Sequence, residues 1–399
     1  MRIALVIPYF YPALEYGGPP RVAHEVARAL VRMGHSVDVL TTDTAGSSRL
    51  TAGQTNQAVD GITVRHYRNF SNYLAFRHRL FLPVGLLLRV RDDLADADIV
   101  HVHEFRSMLT VAAYSACRRL GKPYVLSPHG GLERLGKGRA KKLFDRLWGK
   151  AILDTAHSIV ALSPLEAKQA RTLGIAGTRI RTVPNAVSIE DYDQLPAPGS
   201  FRQRWSLSES DIALFLGRLH RMKGADLLVR AFERVVKERP DTHLVVAGPD
   251  DGQEAEVRRL VGDLGLRNRV TFTGLLNHSA KLGAFVDATC IVVPSRNEIF
   301  SVTVVESLMC ATPVLLSSAC GLFPLPAPDE GVVQFTSGDV ADLGRKLVYC
   351  LDDTSFQAGA AKGRQFAIRE FGIEKVSARI EEMYLDILKR RTESRAAPI

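Results

Sequence analysis

Cys290-Ile-Val-Val-Pro-Ser-Arg-Asn-Glu-Ile-Phe-Ser-Val-Thr-Val-Val-Glu306 passes from one hydrophobic period to another. The run Cys290 to Val293 is short, apolar and rich in β-branched residues, a buried strand ended by Pro294 and Ser295. From Val302 the pattern becomes helical, with Val305, Leu308 and Met309 at spacings that line one face. Glu298 therefore falls in a loop at the carboxyl end of a strand, where open α/β sheets bind ligands. Glu306 falls about one turn into the helix, roughly 6 Å along its axis from the start. Between them the free amides of the first helical turn point over the loop. Two carboxylates that accept hydroxyl hydrogens, with an anion-favouring helix end between them, suit a molecule bearing both sugar hydroxyls and phosphate. Two solvated acids near a helix start would give the same letters, so a second signal has to decide.

That signal lies upstream. Ile212 to Leu216 is another buried-strand pattern, followed by Gly217-Arg-Leu-His-Arg-Met-Lys223-Gly224 and a helix from Ala225 to about Glu238. Glycines at both ends of the loop allow a sharp turn and close approach of a ligand. Arg218 offers a planar fork for phosphate oxygens and Lys223 a compact charge, both near a helix N-terminus. The spacing is not that of a Walker loop, and no Ser or Thr follows the lysine. Together the two loops describe one site for a diphosphate-linked sugar.

At this point the chain resembles the retaining glycosyltransferases of family four, along nearly its whole length. The residues that carry the likeness are Ile3 to Pro8, Gly17-Gly18-Pro19, Ser127-Pro-His-Gly130, Pro184-Asn-Ala-Val187, Gly217-Arg-Leu219 with Lys223-Gly224, and Glu298 to Glu306. The resemblance implies the GT-B fold: two Rossmann-like, doubly wound parallel-sheet α/β domains facing a cleft. It implies a first domain over 1–187, a linker over 188–208, a nucleotide-binding domain over 209–370, and a helix over 371–399 that crosses back to the first. By the same likeness Arg218 and Lys223 hold the donor diphosphate, Glu298 binds hydroxyls of the transferred sugar and Glu306 the ribose. His129 sits beside the sugar on the acceptor side. Gly17, Gly18, Asn185, Gly217, Leu275, Phe300, Ser301 and Val302 complete the donor-binding set. Two positions depart from the family pattern: Ser301 stands where a glycine is usual, and so does Ala186.

The expected activity is transfer of a sugar from a nucleotide-diphosphate sugar, UDP favoured over GDP, to a glycan or lipid-linked acceptor with retention of configuration. Fixed cations and helix amides aimed at the departing phosphate are the electrostatic part of such chemistry. Because Arg218 and Lys223 can neutralise the leaving group, no metal and no cofactor is expected. Asp96-Ala-Asp98 and Asp191-Tyr-Asp193 look like metal-holding pairs, but read more simply as surface caps. His101 and His103 lie in a strand with apolar alternation and are expected to make local hydrogen bonds. A nicotinamide dehydrogenase would need G-x-G-x-x-G after Ile3–Ile7 or after Ile212–Leu216, and it is absent from both. A non-catalytic carbohydrate- or nucleotide-sugar-binding relative is the remaining alternative, given Ser301.

Composition sets the outer bounds. A chain of 399 residues favours two domains with one core each. Five cysteines with no C-x-x-C pair argue against a disulfide framework or zinc site and favour a reducing cytoplasm. No signal peptide is expected before the first strand, and the apolar run Phe81 to Leu88, interrupted by Pro83 and Gly85, is too short to span a bilayer. Charge is uneven: residues 61–150 hold 17 Lys and Arg against 7 Asp and Glu, within a net charge of +9. Arg134 to Lys150 alone carries seven basic residues among Leu135, Leu143, Phe144, Leu147 and Trp148. That mixture suits an anionic membrane surface, with the protein peripheral on the inner face of the cell membrane. No nucleic-acid motif appears, and nucleic acid is not an expected partner.

Overall fold

The computed structural model describes residues 1–13, 18–51, 58–133, 138–207 and 211–396. The chain divides into two compact units, Met1–Ala186 with Ile373–Ile399, and Val187–Gly372.

The first unit is built on an eight-stranded sheet. Its strands are β1 (Arg2–Val6), β2 (Ser36–Thr42), β3 (Ala58–Val59), β4 (Ile62–Tyr67), β5 (Ile99–His103), β6 (Tyr124–Ser127), β7 (Ser158–Ala161) and β8 (Ile180–Thr182). Their spatial order is β8-β7-β6-β5-β1-β2-β4-β3. Every pairing is parallel except β3 with β4. Near-continuous apolar strands are what a sheet covered on both faces requires. Alternate residues go to opposite cores: Ile3 and Leu5 join one cluster, Ala4 and Val6 the other. The first of these cores contains Ile373, Val376, Ile380, Met383, Tyr384 and Ile387 from the long helix Ile373–Ala396. The helix Gly18–Arg32 packs beside it, and Gly34 follows at φ +88°.

The second unit carries β9 (Asp211–Leu216), β10 (Thr242–Ala247), β11 (Val270–Gly274), β12 (Cys290–Val293), β13 (Val314–Ser317) and β14 (Val332–Phe335). All pair in parallel in the order β11-β10-β9-β12-β13-β14. This is the doubly wound order whose direction reverses between its first and fourth strands, and the crevice there is the ligand position of such sheets. The helix Ala225–Glu238 follows β9 and buries Leu228, Val229, Phe232 and Val235 against the sheet.

Of the linker expected over 188–208, the described residues 188–207 belong to the second unit. The Asp287 carboxylate accepts the backbone N–H groups of Gly199 (2.5 Å), Phe201 (2.8 Å) and Arg202 (2.9 Å), fixing the short helix Ser200–Trp205. Strand β8 had no counterpart in the sequence reading: it is three residues long at the sheet edge and carries Arg181 and Thr182. All five cysteines are buried and free. Among the described residues no helix is long and apolar enough to cross a membrane.

Candidate active site

The two motif loops of the second unit leave neighbouring strands at the reversal point, and the chain locks them together. Arg296, after β12, grips Asp226 of the helix after β9 through both guanidinium nitrogens (2.8 and 2.6 Å). It also donates to the Arg221 carbonyl (2.6 Å), while its own N–H bonds the Met222 carbonyl (2.8 Å). Such a two-pronged pair fixes geometry as well as charge. Gly224 lies at φ +74°, and a Cβ there would stand 2.1 Å from the Pro294 carbonyl oxygen. No other residue type fits the contact between the two loops.

On this frame Lys223 Nζ donates to Glu298 Oε1 at 2.5 Å, and the other carboxylate oxygen, Oε2, accepts from the Ser295 hydroxyl at 2.5 Å. The backbone of Glu298 is itself pinned, its N–H to Ala319 O (3.1 Å) and its C=O to Gly321 N–H (2.7 Å). Glu306 pairs with Lys281 at 2.7 Å. Both ion pairs are partly buried, with side chains between 12% and 27% exposed, so each charge is fixed by its partner rather than by water. Arg218 pairs with Asp251 and is more than half exposed. Between the pairs begins the helix Val302–Met309, whose N-cap Ser301 makes no side-chain cap bond. The first-turn amides thus receive no capping oxygen from the Ser301 side chain. Ser301 has φ −97°, an ordinary value for an L-residue, so the backbone here has no need of the glycine usual at this position.

Of the other donor-binding candidates, Gly217 directly follows β9, with its N–H on the Ala247 carbonyl. Phe300 is buried, its ring meeting Phe371 edge-on at 5.9 Å. Val302 opens the helix, and Leu275 follows β11 as a strongly exposed side chain. The sequence reading missed Lys281, Asp226 and Arg296.

In the first unit His129 follows β6 in the left-handed region, φ +49°, ahead of Gly130 at φ +79°. Its Nε2 shares a hydrogen with His103 Nδ1 at 2.8 Å, and the two rings stack. His101 is bonded at both nitrogens, to Tyr384 OH (2.6 Å) and Ser127 Oγ (2.7 Å). His101 and His103 thus make local hydrogen bonds, as their strand position suggested. Burial pulls the His129 ring down to about 4 and His101 to about 3, and His103 well below the usual range, so all three are neutral at physiological pH. Asn185 lines the same small cavity as His129 and His103. Gly18 opens the helix Gly18–Arg32, and Gly17 lies outside the described residues. Of the aspartate pairs, Asp98 accepts the Arg2 N–H at 2.7 Å and Asp96 lies 3.4 Å from the Arg2 side chain.

The His129 turn is held by a residue the sequence reading did not single out. Glu166 is fully buried and accepts the N–H groups of Gly130 (2.6 Å) and Leu162 (2.9 Å). Ser163-Pro-Leu-Glu166 has the letters of a helix capping box, yet the carboxylate reaches past the cap to two loops. Burial raises its pKa to about 7. A carboxyl whose folded pKa lies above the unfolded value of about 4.3 contributes stability at low pH that is lost as pH rises through the folded pKa. The difference in melting temperature between wild type and Glu166→Gln should therefore shift against wild type between about pH 4.5 and 7.5. A difference that stays constant across that range would remove the buried titration.

Comparison with known proteins bears on both units. Residues 16–191 match the description Glycosyltransferase Family 4 and residues 200–363 match Glycosyl transferases group 1. A D-inositol 3-phosphate glycosyltransferase of Xylanimonas cellulosilytica is 28% identical over 94% of this chain and 93% of its own length. The solved sucrose-phosphate synthase of Thermosynechococcus elongatus superposes with a TM-score of 0.80 at 22% identity, over 98% of this chain and 99% of that one. Anabaena HepE, solved in complex with UDP and glucose, gives 0.74 at 18% identity, over 97% and 100%.

Proposed function

Since the chain belongs to the family-four, group 1 glycosyltransferases and has their GT-B fold of two Rossmann-like domains, we propose that it moves a sugar from a nucleotide-diphosphate sugar to a glycan or lipid-linked acceptor with retention of anomeric configuration. The observation that carries this reading is the pair of ion pairs, Lys223–Glu298 and Lys281–Glu306, flanking an uncapped helix start at the sheet's reversal point. A UDP-sugar is the proposed donor, a choice favoured by the UDP found in HepE.

The roles follow from charge. As the bond from anomeric carbon to phosphate breaks, negative charge grows on the diphosphate and positive character on the sugar. Lys223, Arg218 and the amides from Val302 onward stabilise the first, without reorganisation at the moment of reaction. Glu298 takes sugar hydroxyls while holding Lys223 in place, and Glu306 takes the ribose. His129, neutral and fixed by His103, supplies a hydrogen-bonding contact to the sugar. With no carboxylate standing as nucleophile on these loops, the acceptor oxygen attacks on the face the phosphate leaves. The acceptor's proton passes to a leaving phosphate oxygen. The cations of the site make a metal unnecessary in this scheme.

Membrane contact through the Arg134–Lys150 segment belongs to the same proposal. Arg134, Leu135 and Lys137 lie outside the described residues. From Gly138 the segment is helical, and Arg139, Lys142, Arg146 and Lys150 are exposed together with Leu143 and Leu147.

Calorimetric titration tests the division of roles. Glu298→Gln should weaken donor binding more than binding of the free nucleoside diphosphate, whereas Glu306→Gln should weaken both. Equal loss of diphosphate affinity in the two variants would mean the carboxylates are misassigned.

A further inference from the structure

Residues 68–91 of the first unit contain five arginines and no Asp or Glu. Among the described residues, the same stretch also holds a cluster of exposed large apolar side chains. Phe70 is 69% exposed, Val84 61%, Leu87 58% and Leu88 82%. This is not loose loop. Asn69 is fully buried, accepts the Leu82 N–H at 2.7 Å and pairs its amide with Asn72. The Phe70 N–H bonds the Leu82 carbonyl at 2.9 Å, and the Val84 N–H bonds the Arg68 carbonyl at 3.2 Å. Phe70 and Val84 are therefore held outward side by side on paired backbone, and the helix Leu86–Asp93 presents Leu87 and Leu88 beyond them. A fixed apolar patch left in water is a cost that binding repays.

Beside the patch opens a groove of about 500 Å³ lined by Arg65, His66, Tyr67, Arg68, Arg89 and Asp93, among others. Asp93 is engaged by Arg65 at 2.5 Å and by the Tyr67 hydroxyl, so its charge is answered within the groove. Arg68 and Arg89 have no carboxylate partner among the described residues. The groove is thus cationic, with an apolar rim.

We propose that this face binds an anionic lipid surface, with a phosphate headgroup in the groove at Arg68 and Arg89 and Phe70, Val84, Leu87 and Leu88 entering the interface. Only such a partner combines negative charge with apolar depth at the same place. A second copy docked face to face would set five arginines against five, which like-charge repulsion opposes. The inference goes beyond the transfer reaction and does not depend on it, nor on the Arg134–Lys150 segment.

Co-sedimentation with phosphatidylglycerol–phosphatidylcholine vesicles tests it, using the full chain, Arg68→Gln/Arg89→Gln, Phe70→Ser/Leu87→Ser/Leu88→Ser, and Arg139→Gln/Lys142→Gln as a separate arm. Wild type should bind these vesicles and detach from pure phosphatidylcholine. The double arginine variant should lose about 30-fold in partitioning, at about 1 kcal/mol per cation near the surface, with the loss shrinking at high salt. The triple serine variant should lose binding at every salt concentration. Far-UV circular dichroism and donor turnover should be unchanged in both, which separates failure of this inference from failure of the transfer reading. Wild-type-like binding by the triple serine variant overturns the proposal. So does loss confined to the Arg139→Gln/Lys142→Gln arm, or a dimer in sedimentation velocity that the serine changes disperse.

Discussion

Lys223→Ala should slow sugar transfer about 10²–10³-fold, the scale for one preorganised donor to transition-state charge, while far-UV circular dichroism and melting temperature stay close to wild type. Lys223 stands on the short turn Arg221–Lys223, and its ammonium ends on Glu298 rather than in the core. Removing it takes the cation from the leaving diphosphate and leaves Glu298 with the Ser295 hydroxyl alone of its two side-chain partners. Part of the loss should therefore appear as donor affinity and part as turnover. Arg218→Ala removes the second cation and should fall on the same scale, with Asp251 then left without its guanidinium. Unchanged turnover in both single variants rejects the site.

Gly224→Ala should abolish nucleoside diphosphate binding and lower the melting temperature by several degrees. Two penalties coincide at this residue. The backbone sits at φ +74°, and the added Cβ would meet the Pro294 carbonyl oxygen at 2.1 Å with the carbonyl carbon 3.0 Å away. A left-handed alanine alone costs about 1 kcal/mol or more, and a backbone carbonyl cannot swing aside as a flexible side chain can. Relief requires the two motif loops to part, which breaks the Arg296 grip on Asp226 and separates Lys223 from Glu298. Differential scanning calorimetry and titration with UDP check both halves. Wild-type affinity in Gly224→Ala would show that the contact between the loops does not organise the site.

Much of this was legible in the letters, for identifiable reasons. β9 and β12 are buried on both faces, so they read as uninterrupted apolar runs, and the helix Ala225–Glu238 carries its own period. Glu298 and Lys223 sit on loops whose neighbours announce them. Lys281 does not: it pairs with Glu306 across 25 residues, and no local pattern marks a helix residue that meets another helix. The Arg296–Asp226 clamp spans 70 residues and is equally silent. Glu166 was hidden by a spacing that imitates a helix cap. The strand Ile180–Thr182 escaped because an edge strand with two polar residues lacks the apolar run that marks its neighbours. The sequence did point to charge on the first unit, but drew the eye to Arg134–Lys150. The rigid apolar setting of residues 68–91 appears only once Asn69 is seen tying that stretch together.

Release of nucleoside diphosphate from a panel of nucleotide sugars, measured by chromatography with wild type and Lys223→Ala side by side, tests the central claim most directly. The account predicts release from at least one donor, UDP-sugars first, and a rate about 10²–10³-fold lower in the variant. Equal rates in the two proteins, or no release from any nucleotide sugar with glycan and lipid-linked acceptors supplied, would contradict it.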